Sequence, residues 1–123
     1  MYTTLEQYST IITTQAKALL HSNIINLNNT QRSAFRTLNL HAEKLAWTVA
    51  ALERTYEDKL PHFIATQLEH LVAPIQRYAE LLNTAWVGKL NHDQSMHVEI
   101  ILNSALDLTH LLSRQDADNH ARA

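Results

Sequence analysis

The chain has 123 residues, enough for one domain that buries roughly two thirds of its surface on folding. A net charge of -2 leaves no basic footprint for DNA, RNA or an anionic membrane, and the absence of cysteine excludes disulfides, thiolate zinc sites and cysteine nucleophiles together. No apolar run approaches the ~18 residues a membrane span needs, and the polar start MYTTLEQYST does not look like a signal peptide, so a cytoplasmic location is expected.

One glycine and two prolines are too few to punctuate a sheet, whose turns need such residues every few positions. Apolar residues instead recur in steps of three and four, which predicts four long helices, each with one buried stripe. Helix 1, over about 3–22, carries Leu5, Tyr8, Ile12, Gln15 and Leu19 on its stripe. The asparagine-rich segment from His21 to Asn29 then competes with the helical backbone, and Thr30 or Asn29 is the expected N-cap of helix 2. That helix, over 30–59, presents Phe35, Leu38, Ala42, Leu45, Val49, Leu52 and Tyr56. Pro61 suits the first turn of helix 3, where a missing N–H costs nothing. Helix 3, over 62–86, presents Ile64, Leu68, Leu71, Ile75, Tyr78, Leu82 and Ala85, and Gly88 lies just past its end. Asn91 caps helix 4, over 92–114, with Val98, Ile101, Ala105, Leu108 and Leu112. A disordered tail is expected over 115–123.

A shift of 63 residues superimposes the first two helices on the last two without a gap. Leu5 meets Leu68, Ile12 meets Ile75, Leu19 meets Leu82, Phe35 meets Val98 and Ala42 meets Ala105. Heptad stripes alone can align in this way, but the loops cannot borrow that periodicity, and they too agree: LNNTQ at 27–31 against LNHDQ at 90–94. The expected fold is therefore all-α: an antiparallel four-helix bundle over 1–114, built from two tandem helical hairpins over 3–59 and 61–114. Such a duplicate can close within one chain or swap hairpins in a homodimer.

Residues 63–113 carry Phe63 eleven residues before Pro74, a YAELL segment at 78–82, Gly88-Lys89-Leu90 with Gln94, and Ile101, Ser104, Ala105 and Leu108. In this order and spacing they resemble the dimerisation and histidine-phosphotransfer hairpin of bacterial sensor histidine kinases. The resemblance implies a bundle of two hairpins, here in one chain, that binds a response regulator or a sensor kinase in two-component signalling. The sequence departs from the family at the phosphoacceptor. Five residues before Pro74 stands Glu69, with His70 one residue late, and aligned on Tyr78 the position becomes Thr66. No glycine-rich nucleotide loop is present either, so a non-catalytic adaptor without cofactor is the expected function.

Several residues are candidates for that function, each beside a plainer reading. His70, beside Pro74, is the first choice for a phosphoacceptor, and otherwise an ordinary surface histidine. His41, in LHAEKLAW with Lys44 one turn on, is similar to the H-x-x-K pattern of stand-alone histidine-phosphotransfer bundles, although Leu45 replaces the family's glycine. Through either histidine the chain would relay phosphate, which is the alternative, enzymatic function. Leu40 and Trp47 take an outward position of helix 2 and mark a partner surface or a wide core edge. By the resemblance, a regulator would dock around Glu69, His70 and Arg77. His92, Asp93 and His97 cluster at the start of helix 4, but the two histidines are five residues apart, poor geometry for sharing a metal ion, and no metal site is expected. A third possibility is a structural or assembly bundle with no link to signalling.

Overall fold

The computed structural model describes the backbone over 2–22, 27–55, 60–84 and 88–122, and side chains over 3–22, 27–55, 60–84 and 88–114. Four helices follow in chain order: α1 (Tyr2–Leu20), α2 (Asn29–Thr55), α3 (His62–Leu82) and α4 (His92–Arg122). Each packs on its neighbours in the chain, and α4 closes back on α1, which makes an all-α up-down-up-down four-helix bundle. Of the four seams, α2/α3 is the most sparsely packed.

The buried stripes of α2 and α4 follow the sequence, with Phe35, Leu38, Ala42, Leu45 and Val49 and with Val98, Ile101, Ala105, Leu108 and Leu112 in the core, except that the expected stripe residue Leu52 is only partly buried. Those of α1 and α3 are rotated by one residue at alternate steps. Ser9 and Ala16, not Tyr8 and Gln15, complete the α1 stripe, while Val72 and Ala79, not Leu71 and Tyr78, complete that of α3. The reason is volume. Along α1 and α3 small residues alternate with large ones such as Leu5, Ile12, Leu68 and Ile75, so facing helices interdigitate, and the bulkier Tyr8, Leu71 and Tyr78 are displaced to the flanks, only partly buried. Ser9 keeps its hydroxyl satisfied within the helix by donating to the carbonyl of Glu6 at 3.1 Å. The expected stripe residues Tyr56 and Ala85 lie outside the described residues.

The joints correct four expected boundaries. The N-cap of α2 is Asn28 rather than Asn29 or Thr30. Its Oδ1 accepts from the Gln31 amide at 2.8 Å, and Gln31 Oε1 accepts from the Asn28 amide at 2.9 Å. Asn91 and Gln94 make the same reciprocal pair at the start of α4, at 2.8 and 3.0 Å. Each pair satisfies two amides that the first turn leaves without helical partners. Pro61 stands immediately before α3, its carbonyl accepting from the amides of Ile64 and Ala65. Helix α3 stops at Leu82, four residues before the expected limit, where the Thr84 hydroxyl takes over the Leu81 carbonyl at 2.7 Å. At the other end, α4 continues past 114 to Arg122, since no glycine or proline interrupts RQDADNHAR.

The described residues of the two hairpin connections, 21–22 with 27–28 and 83–84 with 88–91, meet at one end of the bundle. Gln94 Nε2 donates to the Ser22 hydroxyl at 3.1 Å, from one hairpin to the other. Gly88, at φ 113°, comes so close to the first hairpin that a Cβ there would stand 2.9 Å from Gln31 Nε2 and 3.0 Å from Asn28 Nδ2. Gly88→Ala would suffer both the left-handed backbone penalty and this collision. It should lose about 1–2 kcal/mol or more in urea unfolding, with an unchanged m-value.

Positions 63 apart share their degree of burial: Leu5 and Leu68, Ile12 and Ile75, Leu38 and Ile101, Gln31 and Gln94 are all core. Ile12→Ala and Ile75→Ala should accordingly destabilise by similar amounts, ~3 kcal/mol each, as read by chemical denaturation. A difference above ~1.5 kcal/mol between them would mean the two hairpins are packed unlike one another.

Candidate functional site

The sparse α2/α3 seam leaves two hollows along one face. The first, of about 570 Å³, is lined by His41 from α2 and by Pro74, Arg77, Tyr78 and Leu81 from α3. The second, of about 280 Å³, lies towards the start of α3, with Lys44, Thr48, Gln67, His70 and Leu71 in its walls. They occupy one groove because residues that flank the buried stripe recur every third or fourth position on both helices.

Side-chain bulk holds this groove open. Tyr78, excluded from the core, turns to the flank and stacks on His41 with ring centroids 6.1 Å apart and planes 26° from parallel. Pro74 is accommodated within α3, but without an N–H it removes the donor that would bond the carbonyl of His70.

Electrostatically the groove is one-sided. Lys44 and Arg77 bring basic side chains, His41 and His70 add imidazole nitrogens, and among the described residues none that lines either hollow is acidic. Burial, and then the neighbouring Lys44 ammonium, hold His41 below the ordinary imidazole value, so at neutral pH it is an uncharged ring with a lone pair available. The combination can bind an anionic group, and at His41 it offers a neutral nitrogen nucleophile flanked by cations.

The residues singled out from sequence distribute as follows. His70 and Arg77 are exposed on α3 and line the groove; Glu69 is half-buried beside them. Leu40 and Trp47 remain 67% and 76% exposed on the outer face of α2, so they are surface and not core edge. The histidine-rich start of α4 forms no cation site: among the described residues no group of three His, Cys, Asp or Glu is placed to hold a metal ion, and His97 hydrogen-bonds Gln15 of α1 through Nδ1. Also among the described residues, no helix is long and apolar enough to cross a membrane.

Sequence reasoning missed Tyr78, Pro74 and Leu81 as groove residues. Tyr78 was assigned to the stripe for its size, yet the adjoining Ala79 was the residue that fitted. No protein-family model matches the chain, and neither a curated protein nor a solved structure matches it. Its functional reading therefore rests on its own residues.

The His41 environment has a consequence for stability. A base whose folded pKa is depressed binds fewer protons in the native state than in the unfolded one. Its effect is absent above the unfolded value, near 6.5, and stability falls as the pH drops from there towards the folded value. Unfolding free energies measured between pH 7.5 and 5 should decline for the wild type, and His41→Gln should remove part of that slope.

Proposed function

We propose that this chain is a non-catalytic helical binding module that receives a protein partner on its α2/α3 face. The observation that supports the reading is an open α2/α3 groove with Lys44 and Arg77 in its walls and, among the described residues, no carboxylate, while Leu40 and Trp47, large and apolar, stand more than two thirds exposed on the outer face of the same helix α2. Contact surfaces are enriched in tryptophan, tyrosine and arginine, and this face holds one of each in Trp47, Tyr78 and Arg77. The resemblance of residues 63–113 to a sensor-kinase hairpin makes a response-regulator receiver domain, or the sensor kinase itself, the partner to test first. Duplication of one hairpin accounts for the shared burial and the matched capping pairs, and it would have freed one face to acquire binding residues.

Phosphate relay is the second reading, and His41 now supports it better than His70. His41 is neutral, stacked on Tyr78 and flanked by Lys44 and Arg77, a setting in which a phosphoryl group would meet two cations.

A pull-down from native extract separates the readings. The wild type should recover a receiver domain or sensor kinase, the Leu40→Asp/Trp47→Asp variant should lose at least about tenfold of it, and His41→Ala should leave recovery intact with no acid-labile phosphate on the bait. Phosphate that vanishes with His41→Ala makes the chain a phosphotransferase. Recovery of neither protein class removes the signalling assignment.

A further inference from the structure

The molecule contains its own control for the α2/α3 face. Residues 63 apart occupy equivalent places in the two hairpins, so the α4/α1 seam is built on the same frame as α2/α3. In the core the frame keeps residue type: Leu38 and Ile101, Ala42 and Ala105, Leu45 and Leu108. On the outside it does not. Where α2/α3 has His41, Lys44, His70 and Arg77, the equivalent positions hold Ser104, Asp107, Gln7 and Thr14. Where it has Leu40, Trp47 and Leu81, they hold Asn103, His110 and Ala18. Both Lys44 and Arg77 are lost, Lys44 to an acid, whereas large apolar residues are redistributed: Leu40, Trp47 and Leu81 are replaced, but Ile11, Met96 and Ile100 stand exposed where α2 and α3 have Pro74, Ser33 and Thr37. The bundle folds around both versions, so packing does not require the cationic and apolar residues of α2/α3.

From this asymmetry we infer that the α2/α3 groove is the docking site for an acidic amphipathic helix of the partner protein. This deepens the binding-module reading and rests on it. The occupant is helical because two adjacent helices form a straight trough that a third can fill with apolar anchors at i, i+3 or i+4 and i+7. His70 and Arg77, seven residues apart on α3, span about 10 Å of that trough, two turns of such a helix. The occupant is acidic because Lys44 and Arg77 flank the trough and, among the described residues, no carboxylate lines it. A nucleic acid fits less well: Pro74, Leu81 and Leu71 are among the residues that line the hollows and offer a polyanion nothing, and the whole chain carries a charge of -2. A second copy of this chain fits less well too, since a symmetric contact through this face would set Lys44 and Arg77 against their own counterparts.

The test uses the full chain and two fluorescein-labelled synthetic peptides of 18 residues. Both carry leucines on one helical stripe; glutamates flank the stripe in one, and lysines replace them in the other. By fluorescence anisotropy the glutamate peptide should bind at least about tenfold more tightly than the lysine peptide, and more weakly as salt is raised. Lys44→Glu/Arg77→Glu should weaken it about tenfold or more, and Leu40→Ser/Trp47→Ser should also weaken it. Asp107→Lys, on the opposite seam, should leave it unchanged. All these positions are on the surface, and circular dichroism confirms that the variants fold. Equal binding of the two peptides, or indifference to the Lys44/Arg77 variant, overturns the inference. So does concentration-dependent self-association abolished by that variant, which would make a second copy the occupant. Capture of a receiver domain from extract by a chain that ignores the glutamate peptide overturns this inference alone and leaves the binding-module reading standing.

Discussion

A helical hairpin of this composition has one apolar stripe on each helix and nothing of its own to bury the pair against. Both hairpins share that condition, and most of the structure follows from their mutual burial. The stripes of α1 and α3 alternate small with large residues, Ser9 and Ala16 among Leu5, Ile12 and Leu19, then Val72 and Ala79 among Leu68, Ile75 and Leu82. Small residues on the seam let large ones from the facing helices enter, and close packing then expels the bulkiest neighbours to the flanks. The expelled side chains, Tyr78 and Leu71 in particular, become the walls of the α2/α3 groove. Core and candidate site are thus two outcomes of one packing decision.

At the loop end of the bundle polar contacts join the apolar burial of Leu27 and Leu90. Two reciprocal Asn–Gln pairs start α2 and α4, and the same glutamines, fully buried, reach from one hairpin towards the other. Gln94 finds the Ser22 hydroxyl, whereas among the described residues Gln31 Nε2 finds no partner and lies under Gly88. The residue 63 positions after Ser22 is Ala85, which has no hydroxyl to offer. The two hairpins are alike in frame and unequal in polar detail, and their outer surfaces differ further still.

That inequality is what gives the molecule a direction. A four-helix bundle has four seams, and nothing in the fold singles one out for binding. Here one seam is loosely packed, with Lys44 and Arg77 in its walls, while its counterpart is bridged by a bond between His97 and Gln15 and carries Asp107 and Thr14 at the equivalent positions.

The helices, their number and the stripes of α2 and α4 were legible in the chain, because a 3.6-residue period needs only local pattern. The outward position of Leu40 and Trp47 was legible too, but pattern left open whether they edge the core, and the packed bundle exposes both. The aligned loops LNNTQ and LNHDQ also contained the right cap: Asn28 pairs with Asn91, and reading the first loop by the second would have chosen it over Asn29. The stripes of α1 and α3 were not decided by pattern. Leu71 and Val72, or Tyr78 and Ala79, fit a helical stripe equally well, and hydrophobicity favours the larger residue of each pair. Only the shape of the opposing helices rejects it, and that shape exists after the four helices meet. The groove, its stacked His41 and Tyr78, and the company Lys44 keeps with His70 across two helices belong to the same class of fact. Sequence determines which faces are apolar; the tertiary structure decides how much volume each seam can hold, and therefore which side chains are left outside to act.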